Sequence, residues 1–219
     1  MSDTTQVSIL IFDGLTALDA IGPYDVLRHV PGWEVTFVGK EAGEVRTEEG
    51  GLGLVADVGI DAAPEADILL VPGGSGTRPL TRDAEVLDWV RAVDRGTRRT
   101  TSVCTGSLVL AVAGLLEGRR ATTYWQSLEE LRAFGVEPVT SRWVEDGKYL
   151  TAAGVSAGID MALHLVAQEV APEMSQAVQL GIEYDPSPPF DTGSPAKAPA
   201  ALVDAVRQVS RQRTATRSS

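Results

Sequence analysis

The chain has 219 residues, a length that suits one α/β domain with a buried sheet, expected to run over 1–219. Thirty Asp and Glu against nineteen Lys and Arg leave a net charge of −11, which repels phosphate and speaks against nucleic acid or an anionic membrane as the main partner. No run approaches the ~20 apolar residues of a membrane span. The amino terminus lacks a basic start and apolar core, so a cytoplasmic protein is expected.

In chain order, residues 7–12 (VSILIF) are nearly all apolar, as in a strand buried on both faces. Gly22-Pro23 opens a helix to about 29, with proline in its first turn. Residues 33–38 alternate as a strand, and 44–60 is a glycine-rich excursion with short antiparallel pieces. Residues 67–71 (DILLV) form another buried strand, followed by Pro72-Gly73-Gly74-Ser75-Gly76. A helix over 83–94 precedes a strand ending at Val103, and 106–113 is helical. Further on come a short strand at 120–123 and a helix over 126–134 closed by Gly135. Asp146-Gly147 between Trp143-Val144 and Tyr149-Leu150 marks a hairpin. Helices over 156–170 and from Pro172 to about 182 follow. Residues 185–199 hold five prolines and read as a long ordered loop or arm before a last helix from Ala200. Arg207, Arg211, Arg213 and Arg217 lie among Ser and Thr, which reads as a frayed, solvated tail over about 205–219. The alternation predicts a mostly parallel sheet with helices on both faces, and ligands bind beyond the carboxyl ends of such strands.

Cys104 is the only cysteine, so an intramolecular disulfide is excluded. It stands between a β-prone run and Thr105-Gly106, at a sharp strand-to-helix turn. Free N–H groups at the start of a helix favour an anion, so the thiolate is expected to be stabilised and nucleophilic. The alternative is a small buried apolar residue. Gly73-Gly74 either makes a turn or brings an N–H close to a ligand, where with the Thr105 N–H it would stabilise developing negative charge. Asp19 either caps the helix expected near Pro23 or faces the thiol as a proton carrier, its charged form disfavoured by Leu18, Ala20 and Ile21. His29 and His164 sit on helices far from any catalytic pattern, leaving a Cys-His-Asp hydrolase without a base. No metal-ligand spacing, P-loop or dinucleotide fingerprint is present.

Residues 19–27 (DAIGPYDVL), 71–74 (VPGG), 101–111 (TSVCTGSLVLA), 113–123 (AGLLEGRRATT), 157–160 (AGID) and 183–195 (EYDPSPPFDTGSP) resemble the PfpI/ThiJ superfamily over nearly the whole chain. Within it the likeness is greatest to the branch that hydrates isocyanides to N-substituted formamides. The resemblance implies a flavodoxin-like three-layer α/β sandwich with a nucleophile elbow, a homodimer, an isocyanide substrate and no metal or organic cofactor. By position it makes Cys104 the nucleophile, Asp19 the acid/base, Thr105 a hydrogen-bonding neighbour and Gly74 a partner of the Thr105 N–H, with the reaction passing through a thioimidate. Relatives often have histidine before the tryptophan where this chain has Tyr124-Trp125, a change in the pocket wall. Two other activities fit the same thiol and carboxyl: a glyoxalase or deglycase acting on dicarbonyls, and a non-catalytic cysteine sensor or regulatory domain.

Overall fold

The computed structural model describes residues 4–217. Strand β1 (Thr5–Leu10) leads into α1 (Ala17–Leu27) and β2 (Trp33–Gly39). The glycine-rich excursion folds as β3 (Gly43–Arg46) paired antiparallel with β4 (Gly53–Ala56), and β5 (Val58–Gly59) then joins β2. Next come β6 (Ile68–Val71), the short α2 (Thr77–Leu80), α3 (Ala84–Gly96), β7 (Arg99–Val103) and α4 (Gly106–Val112). They are followed by β8 (Arg120–Ala121), α5 (Leu128–Arg132), β9 (Glu137–Pro138), β10 (Trp143–Asp146), β11 (Tyr149–Ala152), α6 (Ala157–Glu169) and α7 (Pro172–Gly181).

The main sheet runs β10-β11-β7-β6-β1-β2-β5, parallel throughout except for the edge strand β10. All four residues of β6 are buried, the consequence of covering a parallel sheet on both faces. Helices α1, α6 and α7 pack as one layer, and α2, α3 and α5 gather around α4 as the other. This is a flavodoxin-like α/β sandwich. In the β10–β11 hairpin Asp146 pairs with Tyr149, and Gly147 takes the first loop position at φ +64°, where a side chain would strain the backbone.

Several expected boundaries move. Helix α1 begins at Ala17 rather than at Gly22-Pro23, so Pro23 lies inside it and gives no N–H to the Asp19 carbonyl. Tertiary packing offsets that loss. A Cβ on Gly22 would sit 2.9 Å from Ile159, and a Cβ on Gly158 would sit 3.1 Å from the Pro23 ring, so α1 and α6 approach at their glycines. Helix α5 is shorter than the expected 126–134, and the strand expected at 120–123 keeps only Arg120–Ala121.

The internal contacts divide the chain into two compact units where the sequence reads one domain over 1–219: the first extends through Glu183, the second begins at Tyr184. The second holds the proline-rich stretch and α8 (Ala200–Arg217). The stretch from 205, expected to fray, is helical through Arg217; Ser218 and Ser219 lie outside the described residues.

Gly106 begins α4 against the end of β6. A Cβ there would overlap the Val71 carbonyl and lie 2.8 Å from that of Pro72. Gly106→Ala is expected to cost about 1–3 kcal/mol or more in urea unfolding. Gly96→Ala, at an exposed helix end with nothing within 4 Å, is the control and is expected to be neutral or slightly stabilising.

Candidate active site

Parallel strands β1, β6 and β7 end on one edge, which gathers the loops after them. Between β7 and α4, Cys104 has φ +57°, a left-handed conformation uncommon for any residue but glycine. The surroundings hold it there. Its N–H donates to the carbonyls of Ala152 and Ala153 (3.1 and 2.8 Å), and its carbonyl accepts from Thr123 Oγ1 (2.9 Å) and Ser107 Oγ (3.2 Å). Strain fixed from several sides is a mark of functional turns. Gly73 lies so close that a Cβ on it would be 2.8 Å from Cys104 Cβ and from Thr105 Oγ1.

The early start of α1 decides the reading of Asp19. It sits in the first turn rather than ahead of a later helix, so it does not cap a helix at Pro23. Its side chain is fully buried, and Oδ2 accepts the Gly73 N–H at 2.9 Å. Oδ1 has no hydrogen-bond partner in the protein. Burial pushes this carboxyl up to about 7; the Gly73 N–H and the neighbouring Cys104 thiol pull it down, and the Glu48 charge adds to the rise.

The expectation for the thiol is corrected. Burial, and next the Asp19 charge, hold Cys104 well above the usual thiol range; the N–H groups of Thr105 and Val155 and the Thr105 hydroxyl favour the thiolate but do not win. Desolvation outweighs the start of a seven-residue helix, so the resting group is the thiol.

The structure also redirects Gly74. At φ +129° its N–H donates to Thr105 Oγ1 at 3.0 Å and does not point at the sulfur. Thr77 Oγ1 lies 3.2 Å from the same hydroxyl and donates to the Gly74 carbonyl at 2.7 Å. Gly74 therefore orients Thr105, whose hydroxyl also donates to the Gly74 carbonyl at 3.3 Å, and the Thr105 N–H and hydroxyl act on the thiol in favour of its charged form.

Tyr124 is half-buried, its hydroxyl accepting from Gln126 Nε2 at 3.2 Å. Burial and then the Cys104 charge push its phenol up, as for a group close to the sulfur. His29 bonds the Asp25 carbonyl, and His164 bonds Glu145 and packs at a tilt against the Trp143 ring; neither belongs to the site. Among the described residues no group of three or more His, Cys, Asp or Glu could hold a metal ion, and no helix is long and apolar enough to cross a membrane. A separate cleft lined by Phe12, Lys40, Leu80 and Asp83 includes none of Cys104, Asp19 or Thr105. Sequence reasoning missed Glu48, Thr77, Thr123 and Val155, which act through space with no local pattern to reveal them.

A carboxyl raised from 3.8 to about 7 makes the folded state bind a proton more tightly than the unfolded one. Stability therefore falls as pH rises from about 4 to about 7, by up to about 4 kcal/mol. Asp19→Asn keeps an acceptor for Gly73 and removes the charge. It is expected to stabilise the fold above pH 7 in denaturant unfolding, with the gain shrinking as pH falls from about 7 and gone by about 4.

A strand–Cys–helix elbow facing a buried carboxyl on a flavodoxin-like sheet defines a class of α/β protein, and the profile described as the DJ-1/PfpI family matches residues 5–168. The chain belongs to the DJ-1/PfpI family. It is 45% identical over 203 residues to the isonitrile hydratase of Pseudomonas putida, covering 93% of this chain and 89% of that protein. A crystal structure of a ThiJ/PfpI family protein from Pseudomonas syringae superposes with a TM-score of 0.92 at 35% identity, covering 97% of this chain and 88% of that one. The transcriptional regulator GbdR of Pseudomonas aeruginosa is 38% identical over 138 residues, 62% of this chain and 37% of the regulator.

Proposed function

We propose that this protein is an isocyanide hydratase-like hydro-lyase, converting R–N≡C and water to an N-substituted formamide. The observation that carries the reading is Asp19: buried beside the Cys104 thiol, with Oδ2 anchored by Gly73 and Oδ1 unpartnered. The 45% identity to the Pseudomonas putida enzyme supports the substrate class.

Asp19 as carboxylate takes the thiol proton while the sulfur attacks the terminal carbon. It then hands that proton to the same carbon, so S–H adds across it and a thioimidate, S–CH=N–R, remains on Cys104. The carboxylate next takes a proton from water as the water oxygen bonds to the carbon, and passes it to the nitrogen. The resulting S–CH(OH)–NH–R collapses: the hydroxyl proton leaves through Asp19, the C–S bond breaks, and the sulfur is reprotonated as formamide departs. Proton transfer in this scheme needs one proton shared between the two groups. Thr105 N–H steadies negative charge on sulfur as it forms and leaves. A homodimer and a cytoplasmic location belong to the same reading.

Formation of N-substituted formamide from alkyl and aryl isocyanides is the direct test, and no product from any of them would refute the proposal. As pH falls below about 7 Asp19 takes up its proton while the thiol keeps its own, so the base is progressively lost. We expect kcat/KM to rise with pH through about 7, with activity at pH 6 roughly tenfold below the plateau. A profile flat from pH 5 to 8 would contradict the Asp19 role.

A further inference from the structure

The loop after β1 is laced to two others. Leu15 bridges Thr47 in parallel and Gly74 in antiparallel fashion, and the Glu48 N–H donates to the Leu15 carbonyl at 2.9 Å. From this junction the half-buried Glu48 side chain reaches both ways. Its Oε1 accepts the Ser75 N–H at 2.7 Å, and its Oε2 accepts from Thr16 Oγ1 at 2.9 Å. Those two partners flank the segments that hold the buried carboxyl. Thr16 N–H donates to the Gly73 carbonyl (2.9 Å), Asp19 N–H donates to the Thr16 carbonyl (3.0 Å), and Gly73 N–H returns to Asp19 Oδ2 (2.9 Å). The bonds close a ring through Glu48, Thr16, Asp19, Gly73 and Ser75.

We propose that Glu48 is a positioning residue for the reaction: one carboxylate outside the reacting centre clasps the start of α1, which carries Asp19, to the loop that carries Gly73, and its negative charge acts on Asp19. The inference rests on the hydratase reading for its chemistry. A neutral acceptor would satisfy the Ser75 N–H equally well, so the clasp alone does not call for a charge. The charge adds a second effect, favouring the protonated form of Asp19. The other groups acting on Asp19 are the Gly73 N–H from the loop after β6 and the Cys104 thiol from the turn before α4. On α6, which packs against α1, Asp160 pairs with Arg142 and His164 with Glu145, so those side chains are engaged elsewhere.

The test is a pH profile of Glu48→Gln, which keeps an oxygen for Ser75 and an amide for the Thr16 hydroxyl but loses the charge. Two rates are followed: formamide production, and alkylation of Cys104 by iodoacetamide read by intact mass. The expected result is an acid limb displaced to lower pH in both rates. At pH 6, E48Q is then faster than wild type relative to its own plateau, by about threefold for a displacement of half a unit. Glu48→Asp keeps the charge and shortens the clasp; its limb stays in place while its plateau falls. Should E48Q fail to fold, E48D carries the test, and a displaced limb in E48D would overturn the proposal. A folded E48Q whose limb coincides with wild type in both rates would also overturn it. If wild type forms no formamide, the hydratase reading fails by itself, and the alkylation profile still decides the coupling of Glu48 to Asp19.

Discussion

Replacing Cys104 by alanine is expected to reduce isocyanide hydration to the background rate, a loss of roughly 10⁴-fold or more. The reaction as drawn has one covalent centre, and no other cysteine in the sequence could take its place. Serine in its place is expected to be nearly as inactive. Its hydroxyl is a far weaker acid than a thiol, and the buried site already disfavours an anion at this position. The fold should survive either change, because Cys104 is held at φ +57° through its backbone by Ala152, Ala153, Thr123 and Ser107 and not through its sulfur. Formamide assays paired with thermal melts check both halves of this expectation.

Asp19→Asn is expected to lower kcat by roughly 10²–10⁴-fold, the usual range for losing a general acid–base group, with little change in KM. Asparagine can still accept from Gly73 N–H, so the geometry persists while the proton carrier is lost. The same variant should be more stable than wild type above pH 7, since it relieves a buried carboxylate. Loss of activity with gain of stability separates a removed catalytic group from a damaged fold.

The elbow was legible in the sequence because its signals are local: a β-prone run, Cys104, Thr105, then Gly106 pressed against Val71. The hairpin at Gly147 and the buried run of β6 were legible for the same reason. The start of helix α1 is hidden because Gly22-Pro23 reads as a boundary, whereas the helix packs through both residues against Ile159 and Gly158 on α6, far along the chain. The state of the thiol is not legible in the sequence, because a helix start is visible there and the depth of burial is not. Gly74 was placed at the right turn, yet only the positive φ shows that its N–H turns to Thr105. Glu48 carried no motif, and its partners lie 27 and 32 residues away.

The central claim is that Cys104 and an isocyanide combine by simple addition before water enters. Rapid-quench intact-mass spectrometry of wild type mixed with excess isocyanide addresses it directly. The predicted result is a transient species heavier than the protein by the full mass of the isocyanide, mapped to the peptide containing Cys104, decaying as formamide appears. Formamide produced with no such species, and at an undiminished rate in Cys104→Ala, would contradict it.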